Sequence, residues 1–174
     1  MTDFQWPWEY TFPPFFTLQP HEETRQQQLN VWSDLFLKYL KHLNKFTVNI
    51  YDSSFPLYNN ETLKRKLSPN MILQILENLR KTGHARPFDK KQTEWQVYWF
   101  TLDEYGNMIY DWIQETGQVN TVCTLYEIAH GDLTEERDFH KIDDDVLLNV
   151  LRNLEDKGRC ELIEMDGSYG VKFF

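Results

Sequence analysis

One stretch of the chain occurs twice, the second copy 75 residues after the first. Residues 71–83, Met-Ile-Leu-Gln-Ile-Leu-Glu-Asn-Leu-Arg-Lys-Thr-Gly, align without a gap on residues 146–158, Val-Leu-Leu-Asn-Val-Leu-Arg-Asn-Leu-Glu-Asp-Lys-Gly. Leu73/Leu148, Leu76/Leu151, Asn78/Asn153, Leu79/Leu154 and Gly83/Gly158 are identical. Apolar residues fall at i, i+3, i+4 and i+7 in both: Ile72, Ile75, Leu76, Leu79, and Leu147, Val150, Leu151, Leu154. That spacing lines one face of a helix. Ser68 can cap the first helix, and Pro69 sits where a helix needs no N–H. Asp143 and Asp144 put negative charge at the positive end of the second. Each copy closes on a glycine, which can take the left-handed conformation that ends a helix.

After each glycine come a short strand, a polar turn and another strand. Helix, glycine, hairpin is the back half of a winged helix, and its recurrence predicts two small domains of one type in tandem. In the first unit, Leu29, Trp32, Phe36, Leu40 and Leu43 give a helix over 22–44 its buried stripe. Phe46, Val48 and Ile50 alternate with polar residues as a strand does. Asn60 is placed to cap a short helix through 66, and a hairpin over 85–100 turns at 89–93. In the second unit Thr101 caps a helix whose apolar face is Tyr105, Ile109, Trp112 and Ile113. A strand over 119–123, a short helix over 125–129 capped by Thr124, and an acidic loop over 131–142 precede the repeated helix. The closing hairpin turns at Asp166-Gly167-Ser168, where Asp-Gly tolerates the positive φ a tight turn demands. The expected fold is α+β, mainly helical: an extended proline/aromatic arm over 1–21, then winged helices over 22–100 and 101–174.

The arm interleaves Phe4, Trp6, Trp8, Tyr10, Phe12, Phe15 and Phe16 with Pro7, Pro13, Pro14 and Pro20. Proline at this density argues for extended or polyproline II backbone. The aromatics either cover the first domain's own helices or enter a partner's pockets, where a backbone stiffened by proline loses little entropy on binding. The sharper expectation is the second: an arm that binds and is dispensable for folding.

The net charge of −9 is unevenly spread. Residues 1–100 hold 10 Asp and Glu against 12 Lys and Arg, a charge of +2, whereas residues 101–174 hold 17 against 6, a charge of −11. Two copies of one fold with such different surfaces imply different partners. A winged helix can read DNA with its last helix, and Lys64, Arg65, Lys66, Lys90 and Lys91 leave open a nucleic-acid-binding regulator acting through the first domain. The second domain, whose helix opens on three aspartates, would repel phosphate. The glycines form neither GxxxxGKS/T nor GxGxxG, and there is no GxSxG. Cys123, His130, His140 and Cys160 have the residue types of a zinc site without its spacing. Glu127 near His130 is no more than a chance acid–base pair. No catalytic residues, metal or cofactor are therefore expected. The two cysteines read as reduced buried thiols of a cytosolic protein, and the N-terminus lacks the pattern of a secretory signal.

Trp6-Pro7-Trp8-Glu9-Tyr10, Phe12-Pro13-Pro14-Phe15-Phe16-Thr17-Leu18-Gln19-Pro20 and Gly170-Val171-Lys172-Phe173-Phe174 resemble the smaller vacuolar-protein-sorting subunits of the ESCRT-II complex. Phe100-Thr101, Thr124-Leu125-Tyr126-Glu127 and Phe139-His140 extend the resemblance along the whole chain. It implies a cytoplasmic, non-enzymatic scaffold recruited to the endosome membrane, sorting ubiquitinated cargo into multivesicular bodies. It implies two copies per complex, joined with one copy each of two larger winged-helix subunits in a Y-shaped assembly. Membrane contact would be only indirect, and nucleic acid is not a partner. The arm would dock those subunits through a Pro-Pro-x-Phe pattern, with Trp6, Trp8, Pro13, Pro14, Phe15 and Phe16 in contact. The second domain would engage an ESCRT-III subunit that begins with a basic helix. From its charge two acidic segments are the candidate contacts: Glu135, Glu136 and Asp138 in the loop, with Phe139 as their apolar neighbour, and Asp143, Asp144 and Asp145 at the helix start, where local capping accounts for at least one.

Overall fold

The computed structural model describes residues 3–174, so Met1 and Thr2 of the arm lie outside the described residues. The chain divides into two compact units, one ending at Trp99 and one running Phe100–Phe174. In the first, the arm is not extended. It turns through two 3-10 segments, Trp8–Thr11 and Pro13–Phe16. The prolines permit this because each stands before or at the start of a turn, where φ near −65° fits and no N–H is needed. The turns close through Phe15 N–H to the Phe12 carbonyl (3.0 Å) and Thr17 N–H to that of Pro14 (3.2 Å).

Helix α1 (Glu22–Leu43) follows and stops at Asn44, which is left-handed at φ 53°. After β1 (Thr47–Asn49) the sequence reading places a helix over 60–66; the structure has instead the small antiparallel pair β2 (Asn59–Asn60) and β3 (Arg65–Lys66). Asn60 explains the difference. It is buried, its Oδ1 accepts from Leu63 N–H at 3.1 Å, and its Nδ2 donates to the Tyr10 carbonyl at 2.8 Å. It anchors the arm and caps a turn that no helix continues. Helix α2 (Pro69–Lys81) is capped by Ser68, whose Oγ accepts from Met71 N–H at 3.1 Å. Strands β4 (Ala85–Pro87) and β5 (Glu94–Val97) close the unit in a sheet ordered β1-β5-β4, antiparallel throughout.

The second unit runs α3 (Leu102–Glu115), β6 (Val122–Thr124), α4 (Leu125–His130), α5 (Asp144–Asp156), β7 (Cys160–Met165) and β8 (Ser168–Phe173). Thr101 and Glu104 form a complete capping box on α3. The sheet order β6-β8-β7 repeats the first unit's arrangement, with the last strand in the middle. β1 and β6 themselves begin 75 residues apart. The fold is α+β, two winged helices in tandem. The repeated helices α2 and α5 supply both cores: Leu76 and Leu151 are fully buried, as are their neighbours at i−4 and i−1. Gly83 and Gly158, just past the two helices, sit at φ 83° and 75°. The β7–β8 turn places Asp166 and Gly167 at φ 46° and 83°, the pair of left-handed residues that a two-residue hairpin loop requires.

Candidate binding surfaces

The arm has an inner and an outer face. Phe15 stacks on Trp32 of α1, with ring centroids 4.2 Å apart and planes 6° from parallel, and Phe16 meets the same ring edge-on at 5.3 Å. Trp32 Nε1 donates to the Phe15 carbonyl at 2.8 Å, and Gln28 Nε2 donates to the carbonyls of Phe15 and Thr17 at 3.0 and 2.8 Å. Trp6 stacks on Tyr10 at 3.9 Å and leans on Tyr39 at 4.8 Å. The Tyr10 hydroxyl donates to the Pro56 carbonyl at 2.5 Å. Burial, with a smaller contribution from Tyr39 nearby, pushes the Tyr10 phenol up to about 12. These contacts correct the expectation of an arm dispensable for folding. Its inward aromatics complete the first unit's core, since leaving them in water would cost more than the few ordered turns.

The outer face is left open. Trp8 is 68% exposed, and Phe12, Pro13 and Pro14 are also exposed. Trp8 and Phe12 meet edge-to-face at 5.8 Å. Together with Pro14 and with Gln27 and Val31 of α1 they line a groove of about 390 Å³. Glu9 forms part of its wall, and one Glu9 carboxylate oxygen is buried with no hydrogen-bond partner.

In the second unit Glu135, Glu136 and Asp138 are exposed, as their charge demands. The segment carrying them is clamped. Thr134 is fully buried, its Oγ1 2.8 Å from His140 Nδ1, and Lys141 N–H donates to the Ala129 carbonyl at 2.6 Å. Arg137 pairs with Glu115 at 3.1 Å. Phe139 is the anchor: it is buried against Trp112, centroids 6.0 Å apart. It therefore cannot be the apolar contact expected beside the acids without opening the core, and that assignment is withdrawn. The exposed apolar side chains here are Leu133 (75%) and Tyr126 (70%). Hydrophobic periodicity passes over both. Extending the repeat backwards finds Tyr126, which pairs with Tyr51 at the same offset of 75, whereas nothing in sequence marks Leu133.

At the start of α5, Tyr126, His130, Asp144, Asp145, Leu148 and Tyr169 surround a cavity of about 690 Å³. Asp143 is committed to the helix, its carboxylate accepting from Asp145 N–H at 3.2 Å. Asp144 and Asp145 face the opening with charge to spare. Cys123 and Cys160 are free, buried thiols, and burial raises both, Cys160 to about 12, with Glu127 and Glu155 adding smaller contributions. Among the described residues no group of three or more His, Cys, Asp and Glu is arranged to hold a metal ion, and no helix is long and apolar enough to cross a membrane.

Two winged helices that offer an aromatic groove and an acid-walled cavity define a binding protein, one that works by presenting surfaces. A family model described as "ESCRT-II complex subunit" matches residues 9–143. The vacuolar protein-sorting-associated protein 25 of Drosophila melanogaster is 70% identical over the full length of both chains, and that of Homo sapiens 41% identical over 98% of each. The fold is similar to the crystal structure of subunit VPS25 of the endosomal trafficking complex ESCRT-II (TM-score 0.86, 28% identity, 97% of this chain and 98% of that one). It is also similar to a chain in the crystal structure of the endosomal complex ESCRT-II, VPS22/VPS25/VPS36 (TM-score 0.81, 29% identity, 96% and 98%). This chain belongs to the ESCRT-II complex subunit family, whose members are scaffolds and not enzymes.

Proposed function

We propose that this chain is a scaffold subunit of an endosomal ESCRT-II complex, in which the outer face of the arm grips the larger subunits and the second domain recruits ESCRT-III. A solved relative assembles as VPS22/VPS25/VPS36, which supplies the class of partner. The observation that carries the arm's role is the exposed aromatic pair Trp8–Phe12 beside Pro13 and Pro14, held in place by an inner face already fastened to α1. Preorganisation of this kind removes the ordering cost of binding, and large exposed aromatics are the usual anchors of an interface. Trp6, Phe15 and Phe16 support the groove from within. The unpaired oxygen of Glu9 calls for an N–H or cationic donor from the partner. For the second domain, Asp144 and Asp145 line a cavity with exposed Tyr126, and Glu135, Glu136 and Asp138 follow exposed Leu133 along the chain, a pairing of acids with apolar side chains that suits an amphipathic basic helix. Without a membrane-crossing helix among its described residues, the chain would reach the endosome through its partners.

Co-purification with the two larger subunits tests the arm. Trp8→Ala with Phe12→Ala should abolish assembly and leave the isolated chain's melting curve unchanged; intact assembly by the double variant would refute the reading. Glu135→Lys, Glu136→Lys and Asp138→Lys combined should slow association with an ESCRT-III subunit and flatten its salt dependence, because rim charges act mainly on encounter. A wild-type rate and salt slope would remove the acidic segment from the interface.

A further inference from the structure

The acid-walled cavity has a counterpart in the first domain, at the same place in the fold. There Ile50, Tyr51, Leu67, Ser68, Pro69 and Ile72 line an opening of about 370 Å³ beside the start of α2. Ile50, Tyr51 and Pro69 stand 75 residues before Leu125, Tyr126 and Asp144, which line the cavity in the second domain. Both therefore form where the chain leaves the first strand and passes the N-terminus of the repeated helix. Both have a highly exposed tyrosine at the mouth, Tyr51 at 66% and Tyr126 at 70%. They differ in sign. Among the described residues, Lys66 is the only charged side chain lining the first-domain cavity, and Lys64 and Arg65 beside it are exposed and in no ion pair. Glu61 in the same turn and Asp52 in the preceding loop oppose them, but neither lines the cavity.

Two further observations describe the occupant. The floor is aliphatic, formed by the outward edges of Ile50, Leu67 and Ile72, and the volume falls within the roughly 300–1,000 Å³ of ligand-sized pockets. Tyr58 forms part of the wall, is 2% exposed, and its hydroxyl is buried with no hydrogen-bond partner. A buried hydroxyl lacking an acceptor is a cost that an occupant bringing a carboxylate or carbonyl oxygen removes. Nucleic acid fits less well. It needs many phosphate contacts, and one lining cation over an aliphatic floor in a domain of charge +2 does not offer them.

We propose that this cavity is a second peptide-docking site, which takes a bulky apolar side chain flanked by acidic residues from a partner protein. It is the charge-reversed counterpart of the site in the second domain, and it does not depend on the arm. The apolar side chain fills the aliphatic floor, the flanking carboxylates meet Lys64–Lys66 and the open end of α2, and one oxygen accepts from the Tyr58 hydroxyl.

Fluorescence polarisation on the full chain tests this with three labelled nonapeptides. Each carries a central Leu-Phe pair, flanked by Asp/Glu, by Asn/Gln or by Lys/Arg. Only the acidic peptide is expected to saturate. Lys66→Glu should weaken it at least tenfold, Tyr58→Phe several-fold, and raised salt should weaken the wild type more than Lys66→Glu. Asp144→Asn with Asp145→Asn, at the equivalent place in the second domain, should leave binding unchanged, as should Trp8→Ala. Four results overturn the proposal: equal binding of all three peptides, indifference to Lys66→Glu and Tyr58→Phe, no saturable binding of the acidic peptide, or its displacement by a single-stranded oligonucleotide at physiological salt.

Discussion

The two winged helices are built alike and surfaced differently. Ile72, Ile75, Leu76 and Leu79 are buried in one as Leu147, Val150, Leu151 and Leu154 are in the other, and both sheets place the last strand at the centre. On the outside, Ser68 and Pro69 are replaced by Asp143 and Asp144, and Lys64, Arg65 and Lys66 become Phe139, His140 and Lys141, so only Lys66 keeps a cationic counterpart. The buried face is held by packing, where one lost methylene is felt. The surface is held by little, so it is where two copies can take different partners. The first domain also recruits extra core from the arm, whereas the second closes on its own hairpin.

That asymmetry gives the largest expected effect. Phe15→Ala removes a ring stacked on Trp32 at 4.2 Å and should destabilise the first unit by about 3–5 kcal/mol in urea unfolding. The outward Trp8→Ala should shift it by less than about 0.5 kcal/mol. Equal losses would mean that the arm has no inner and outer face. Next come the paired leucines. Leu76→Ala and Leu151→Ala should each cost about 2–5 kcal/mol, in their own units. Trp112 is the one tryptophan after residue 99, so chains carrying Trp112→Phe report on the first unit alone. In that background Leu76→Ala should move the tryptophan-monitored transition and Leu151→Ala should move it less. An equal shift from both would show the units unfolding as one.

The core was legible in sequence because burial imposes a period. The repeat located α2 and α5 and their glycine ends, and the Asp-Gly pair located the last turn, since each is a local demand on the backbone. The arm's conformation was not legible. Proline density excludes a long α-helix but does not separate polyproline II from 3-10 turns, and the choice is made by Trp32, Gln28 and Asn60, which lie far off in sequence. The same holds for the helix expected over 60–66: Asn60 does cap, its Oδ1 accepting from Leu63 N–H, but the chain after it turns back to pair β2 with β3, and its Nδ2 is tied to the Tyr10 carbonyl far off in sequence. Phe139 shows the limit for site residues. An aromatic beside acids reads equally as a contact or as the anchor of the loop, and only the distance to Trp112 decides.

The caps give a smaller contrast. Ser68 accepts from Met71 N–H, three residues on, and Asp143 from Asp145 N–H, two residues on. Replacing either by alanine should cost about 0.5–2 kcal/mol. The two should differ in salt. Asp143 also acts through its charge at the helix start, so Asp143→Ala should cost less in high salt, whereas Ser68→Ala should be indifferent to it. Chemical denaturation at two salt concentrations distinguishes them, and identical salt responses would mean that the dipole contribution at α5 is negligible.

The smallest effect concerns how the arm is fastened. The Tyr10 hydroxyl donates to the Pro56 carbonyl and lies under Trp6, and its phenol is raised to about 12. An unfolded tyrosine ionises near 10. The folded state therefore binds the Tyr10 proton more tightly than the unfolded state does. The stabilisation from this difference is fully present below about pH 10 and is lost as pH rises toward 12, because the slope of stability with pH follows the difference in bound protons. Ionisation also removes the only donor the hydroxyl has for the Pro56 carbonyl. Tyr10→Phe abolishes the titration and should flatten the fall in melting temperature between pH 9.5 and 11.5 relative to wild type, a range set by the ordinary phenol value near 10 and the raised one. The difference in phenolate absorbance between the two proteins should rise late, after most of the exposed tyrosines have ionised. If it rises near the ordinary phenol value of about 10, then Tyr10 is not held under Trp6 in solution and the arm's inner face is not closed.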